Sequence, residues 1–175
     1  MKRIVYLLGM AVVAVVAVFT VSASGHADGE AAPVFGIKIP PGYRDWKLIS
    51  VAHEEGNLKD IRAILGNEIA IKAYREGTLP LPDGAIIARL AWSHTPSEEN
   101  NKVFGRAQSF VPGSPPEWYL QFMVKDSRKY AATGGWGFAQ FNKDGKPAGE
   151  AMLKTCFPCH EPIKARDFVF TRYAP

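Results

Sequence analysis

The feature that most constrains this chain lies near its end. Cys156-Phe-Pro-Cys159-His160 holds both cysteines of a 175-residue sequence, so any chemistry that needs a thiol has to be built from this one pentapeptide. Three chemistries use such a pair: a redox dithiol, half of a zinc site, and the attachment of a haem. A redox dithiol sits where a strand meets a helix, near the start of a βαβ unit. Here the pair is close to the C-terminus, with no alternating β-α pattern around it. A closed structural zinc site needs four nitrogen or sulfur ligands. His160 is too crowded against Cys159 to serve beside both thiols, and His26, His53 and His94 are scattered singly.

Haem attachment uses all three residues. In Cys-x-x-Cys-His the thiols add to two vinyl groups and the histidine ligates the iron. Two intervening residues let both sulfurs reach adjacent pyrrole edges from one turn, and that turn holds the imidazole beneath the metal. The expectation is one covalent haem c, attached through Cys156 and Cys159, with His160 as metal ligand. Pro162 is expected to end the local helical turn. The other ring nitrogen of His160 should bond to a carbonyl or carboxylate that the sequence does not identify.

The N-terminus agrees with a group attached outside the cytoplasm. Lys2 and Arg3 precede an uncharged apolar run ending near Phe19, followed by small-x-small sites at Val21-Ser22-Ala23 and Gly25-His26-Ala27. This is the build of a secretory signal peptide, residues 1–23, cleaved after about Ala23 or Ala27 and implying the periplasm. An uncleaved membrane anchor is the competing reading. Cleavage leaves roughly 150 residues, one domain with an adequate core. It also lowers the net charge from +4 to +2 by removing Lys2 and Arg3. No Lys/Arg-rich run remains, which argues against a nucleic-acid partner.

Residues 24–39 read as a flexible lead-in to a haem domain over 40–175. Strands are expected around Trp46–Ala52, in "LKDIRAILGN", "AIIARLAW", "RAQSFV", "EWYLQFMVKD" and "WGFAQF". A helix follows Asn67, ends at Gly77 and carries an apolar stripe of Ala70, Ala73 and Tyr74. "TPSEENNKVFG" reads as a polar loop and "AGEAMLKTCFPCHEP" as helical at its start. The fold class is therefore α+β, mainly antiparallel sheet with a few short helices.

An electron carrier fills both axial positions of its iron, whereas a ligand-binding haem leaves one open. Met152 lies too near the attachment turn to reach the opposite face. His53 and His94 read as solvated loop histidines. Met123, on a strand face shared with Gln121 and Lys125, is the best sixth-ligand candidate, although a strand methionine is more often core filler. An open distal site is the favoured reading.

"TCFPCHEPIKARDFVFTRYAP", "EWYLQFMVKDSRKYAATGGWGFAQF" and "YREGTLPLPDGAIIARLAW" together resemble the cytochrome P-460 family, from about "GYRDWKLISV" onward. The resemblance implies a mainly antiparallel sheet, a homodimer, and one five-coordinate c-type haem per chain. It also implies small nitrogen ligands: hydroxylamine as the substrate of some members, nitric oxide as the ligand of their relatives. Any turnover would be of the hydroxylamine or nitric oxide oxidoreductase kind, with a redox partner not yet identified. In the hydroxylamine-oxidising members a lysine after the Asp-Gly turn bonds to the porphyrin edge, and counting from Asp83-Gly84 that position here is Arg89. A guanidinium stays protonated and is a poor nucleophile, and the nearest lysines, Lys72 and Lys102, fall on a helix and a loop, so no cross-link is expected. Arg89 shares a strand face with Ala85, Ile87 and Ala91, and a charge in that company needs a partner or an exit to solvent. Arg89 and Gln121 are the candidate catalytic residues of the distal pocket. The competing function is an electron-transfer cytochrome with a filled sixth position.

Overall fold

The structure is a computed structural model and describes residues 29–174. Six antiparallel strands form the frame: β1 (Lys47–Glu54), β2 (Asp60–Gly66), β3 (Ile86–Pro96), β4 (Phe110–Pro112), β5 (Leu120–Lys125) and β6 (Trp136–Phe141). They run in the order β1-β2-β3-β5-β6, with the short β4 paired to the far end of β3. Among the described residues the four α-helices are short: α1 (Glu68–Glu76), α2 (Glu98–Phe104), α3 (Glu150–Leu153) and α4 (Cys156–His160). This is the α+β, mainly antiparallel class read from the sequence. The apolar run at residues 1–19 and its cleavage sites lie outside the described residues. Among those described, no helix is long and apolar enough to cross a membrane.

Helix α1 begins where Asn67 turns extended and its side chain accepts from the N–H of Ala70, and it ends where Gly77 enters the left-handed region at φ 66°. It buries Ala70, Ile71 and Ala73 against β1, β2 and β3; of the expected stripe Ala70 and Ala73 are buried and Tyr74 is half-buried, and Ile71 joins them. The helix and sheet come close at Gly66, where an added Cβ would meet Ile49 at 2.7 Å and the Cβ of Ala70 at 3.1 Å. The core is completed by Trp136, Phe122, Phe141, Leu120 and Leu153, all fully buried.

Four local expectations are corrected. The segment "SEENNKVFG" is helix α2 rather than a loop: Ser97 accepts from the N–H of Asn100, and Gly105 closes the helix at φ 68°. Lys102 therefore lies on a helix. His53 and His94 are not loop residues either; they belong to β1 and β3, and their rings meet edge to face at 4.5 Å. Pro162 does not end the turn after His160. It sits in the first turn of a 3-10 segment, Glu161–Arg166, where the missing N–H of proline costs nothing. Finally, the second half of the lead-in is packed, not loose. Ala32 and Ile37 bridge at 2.7 Å, and Phe35 is buried edge-on against Tyr130 and Phe138.

Candidate functional site

The antiparallel register lines up one polar row across the sheet. Ile64 of β2 faces Arg89 of β3, Arg89 faces Gln121 of β5, and Gln121 faces Gln140 of β6. Two residues along, an adjoining row carries Ile87, Met123 and Phe138. Because side chains alternate with period two, both rows project from the same face. They line a cavity of about 320 Å³. The opposite wall is Thr155, Cys156, Cys159 and His160, followed by Val169, Phe170 and Thr171. Every candidate residue read from the sequence (Arg89, Gln121, Cys156, Cys159, His160, and Met123 as sixth-ligand candidate) borders this one space. Its size is ordinary for a small-molecule or cofactor site.

The motif folds as helix α4. A helical turn puts Cys156 and Cys159, three apart, on neighbouring positions of one face. Both thiols are free, Cys156 partly buried and Cys159 exposed. Burial raises the Cys156 thiol above its ordinary range, and a hydrogen bond from the Gln140 amide, 3.7 Å from Sγ, partly offsets this. His160 lies between the rings of Phe138 and Phe170, each centred 5.0 Å away. Its Nδ1 is 2.7 Å from the carbonyl oxygen of Phe168. A carbonyl only accepts, so Nδ1 carries the proton and Nε2 keeps the free lone pair. Burial holds the imidazole below its ordinary pKa, while the Phe168 carbonyl acts in the opposite sense. A neutral imidazole with one fixed tautomer is the form that ligates a metal.

Arg89 is mostly buried, its side chain 15% exposed. Its Nη2 donates to Oδ2 of Asp60 at 2.8 Å, and Asp60 is buried at 1% exposure. Arg62 grips the same carboxylate through Nε at 2.6 Å and Nη2 at 3.2 Å, and Glu54 through Nη1 at 3.1 Å. Burial lowers the pKa of Arg89, the neighbouring Arg62 adds to this, and Asp60 opposes it. One donor of Arg89, Nε, is buried without a partner.

Arg62 and Asp60 were not anticipated as site residues. The signal was present: Asp60, Arg62 and Ile64 alternate along β2 and share a face, so two opposite charges point wherever Ile64 points. Gln140, Phe170 and the carbonyl of Phe168 had no such signal, because their roles depend on chain closure. Among the described residues, no lysine lines the cavity.

No curated protein matches the sequence. The family model described as cytochrome P460 matches residues 40–171, which include the sheet, both cysteines, His160 and every cavity residue named above. The chain belongs to the cytochrome P460 family.

Proposed function

We propose that this is a periplasmic monohaem c-type cytochrome whose open distal face binds or transforms small nitrogen species such as nitric oxide or hydroxylamine. The observation that carries the reading is the convergence of Cys156, Cys159 and His160 on one cavity, with Nδ1 of His160 already engaged and Nε2 left to coordinate. The buried, unpartnered Nε of Arg89 is a further fit, since it calls for an acceptor that the protein itself does not provide. When bound, the haem supplies an iron that can take a small ligand and exchange electrons with it.

The remaining roles belong to the chain. Cys156 and Cys159 would hold the haem through thioether bonds, each S–H adding across one vinyl group with no net redox change, and His160 would offer the lone pair of Nε2 to its iron. Phe138, buried and tilted against His160, supplies apolar cover on that side of the site, and the more exposed Phe170 meets the imidazole edge to face. On the sheet side, Gln121 offers an amide that both donates and accepts, and Arg89 offers a fixed donor, so a bound nitrogen ligand can be oriented and its protons managed there. Arg89 stands where a cross-linking lysine is expected and is held by Asp60, so the attachment is confined to the two cysteines. Export by a cleaved signal peptide accounts for haem attachment, and a homodimer is consistent with the exposed Leu48 and Val51 on edge strand β1. The redox partner belongs to no identified class.

The test is an absorption spectrum of protein co-expressed with haem-attachment machinery, recorded ferric, ferrous, and ferrous with nitric oxide. A high-spin ferrous spectrum that changes on adding nitric oxide is expected, with haem-peptide masses that include no third side chain. A low-spin ferrous spectrum that resists the ligand would replace this reading with an electron carrier. Met123, which lines the same cavity, is then the sixth ligand to test.

A further inference from the structure

Behind His160 lies a buried ion pair that the proposed chemistry does not use. Lys125, on β5, is 6% exposed, and its Nζ donates to Oδ1 of Asp167 at 2.6 Å. Asp167 is 7% exposed, and its second oxygen, Oδ2, accepts the backbone N–H of Leu81 at 2.9 Å. Lys125 also donates to the carbonyl of Gly134 at 3.3 Å and sits 5.0 Å over the ring of Trp136. One carboxylate thus ties the segment after the haem-binding motif to β5 and to the loop before β3.

The backbone at that carboxylate is unusual. Asp167 and Phe168 are consecutive non-glycine residues in the left-handed region, at φ 52° and 62°. Left-handed backbone is unfavourable for a residue with a Cβ and persists where the surroundings over-determine it. Here the surroundings are visible. The N–H groups of Asp167 and Phe168 close on the carbonyls of Lys164 and Ile163 at 3.0 and 3.2 Å. The ring of Phe168 occupies space left by Gly134, where an added Cβ would collide with it. This double left-handed turn reverses the chain and brings the Phe168 carbonyl back to Nδ1 of His160 at 2.7 Å.

We propose that Asp167, clamped by Lys125, is the positioning residue of the axial site: it holds the Phe168 carbonyl against Nδ1 and thereby sets the orientation and donor strength of His160. A firm Nδ1–H···O=C bond makes an imidazole a stronger donor at its other nitrogen, and a stronger axial donor favours ferric over ferrous iron. The charge-assisted bond between Lys125 and Asp167 is the part that a single substitution can remove. The inference rests on His160 being the axial ligand.

Asp167→Asn is the informative variant. Asparagine adopts left-handed backbone readily, so the turn is kept, while the charge facing Lys125 is lost. The measurements are the ferrous iron–histidine stretching frequency by resonance Raman and the midpoint potential of the holoprotein. In Asp167→Asn the stretch moves to lower frequency and the potential moves upward, with haem still attached. Lys125→Met, which leaves the Leu81 bond intact, shifts both in the same directions and serves alone if Asp167→Asn fails to fold. Lys125→Arg restores values close to those of the unsubstituted protein. Unchanged frequency and potential in a haem-bearing Asp167→Asn or Lys125→Met protein would overturn the proposal. Failure of the underlying reading looks different: the unsubstituted protein itself would lack covalent haem or the iron–histidine signature.

Discussion

Asp60 carries more than its position suggests. It is a buried carboxylate between two arginines that belong to two different strands, Arg62 on β2 and Arg89 on β3. Taking charges out of water is costly, and a buried pair only recovers that cost when the geometry is good and the remaining donors are satisfied. Removing one partner leaves the others uncompensated. Asp60→Asn should therefore destabilise the fold by about 3 kcal/mol, read as a lower urea midpoint at unchanged slope. Arg89→Leu should cost less, because Arg62 still holds Asp60, yet it should alter nitric oxide affinity. The grouping of the cysteines and His160 on one turn was legible because it is local: five consecutive residues specify it. The partner of Arg89 was not, because it is 29 residues away and appears only once the register of β2 on β3 is known.

At the scale of elements, Asn67 shows how a cap becomes a joint. Its Oδ1 accepts from the N–H of Ala70, inside α1, and from the N–H of Ile86, at the start of β3, while Nδ2 donates to the carbonyl of Gly84. The same side chain starts the helix and fixes the entry to the strand that carries Arg89. Asn67→Ala should cost about 2 kcal/mol, the upper part of the range for a lost N-cap, measurable by thermal or urea denaturation. Helix α1 was readable from its cap, its apolar stripe and its terminal glycine. Helix α2 was missed although it has a capping serine and a closing glycine, because it buries nothing. Without an apolar stripe, composition favoured a loop. The end of β3 was likewise read as polar loop, since His94, Thr95 and Pro96 gain their strand character from pairing with Phe110–Pro112 and not from their own pattern.

The whole molecule is one sheet whose two faces do different work, and its stability is drawn from segments far apart in sequence. Phe35 is the clearest case. It is buried against Tyr130 and Phe138, and Tyr130 returns a hydrogen bond from its hydroxyl to the Phe35 carbonyl at 3.1 Å. Phe138 in turn packs at a tilt against His160, so the turn at residues 32–37 buttresses the ring that supports His160. Phe35→Ala should cost about 3 kcal/mol, as for other buried aromatic truncations, and lower the melting temperature of the holoprotein. Fold class was legible at this scale because several short β-rich runs are separated by turn residues with few helical stretches between them. The seating of residues 32–37 was not, since "APVFGI" has neither period.

The polar row Arg89–Gln121–Gln140 exists because three neighbouring strands agree in register. That sets which kinds of inherited change the pocket can survive. A substitution in the row alters one side chain and leaves its neighbours in place, so ligand preference can drift a residue at a time. An insertion or deletion of one residue within β3 or β5 would turn the whole strand over and send its polar members into the core. Length variation is therefore confined to the connections, such as residues 55–59 between β1 and β2 and 113–119 before β5. Among descendants of this chain, the pocket is free to diversify in chemistry while the spacing of its strands stays frozen.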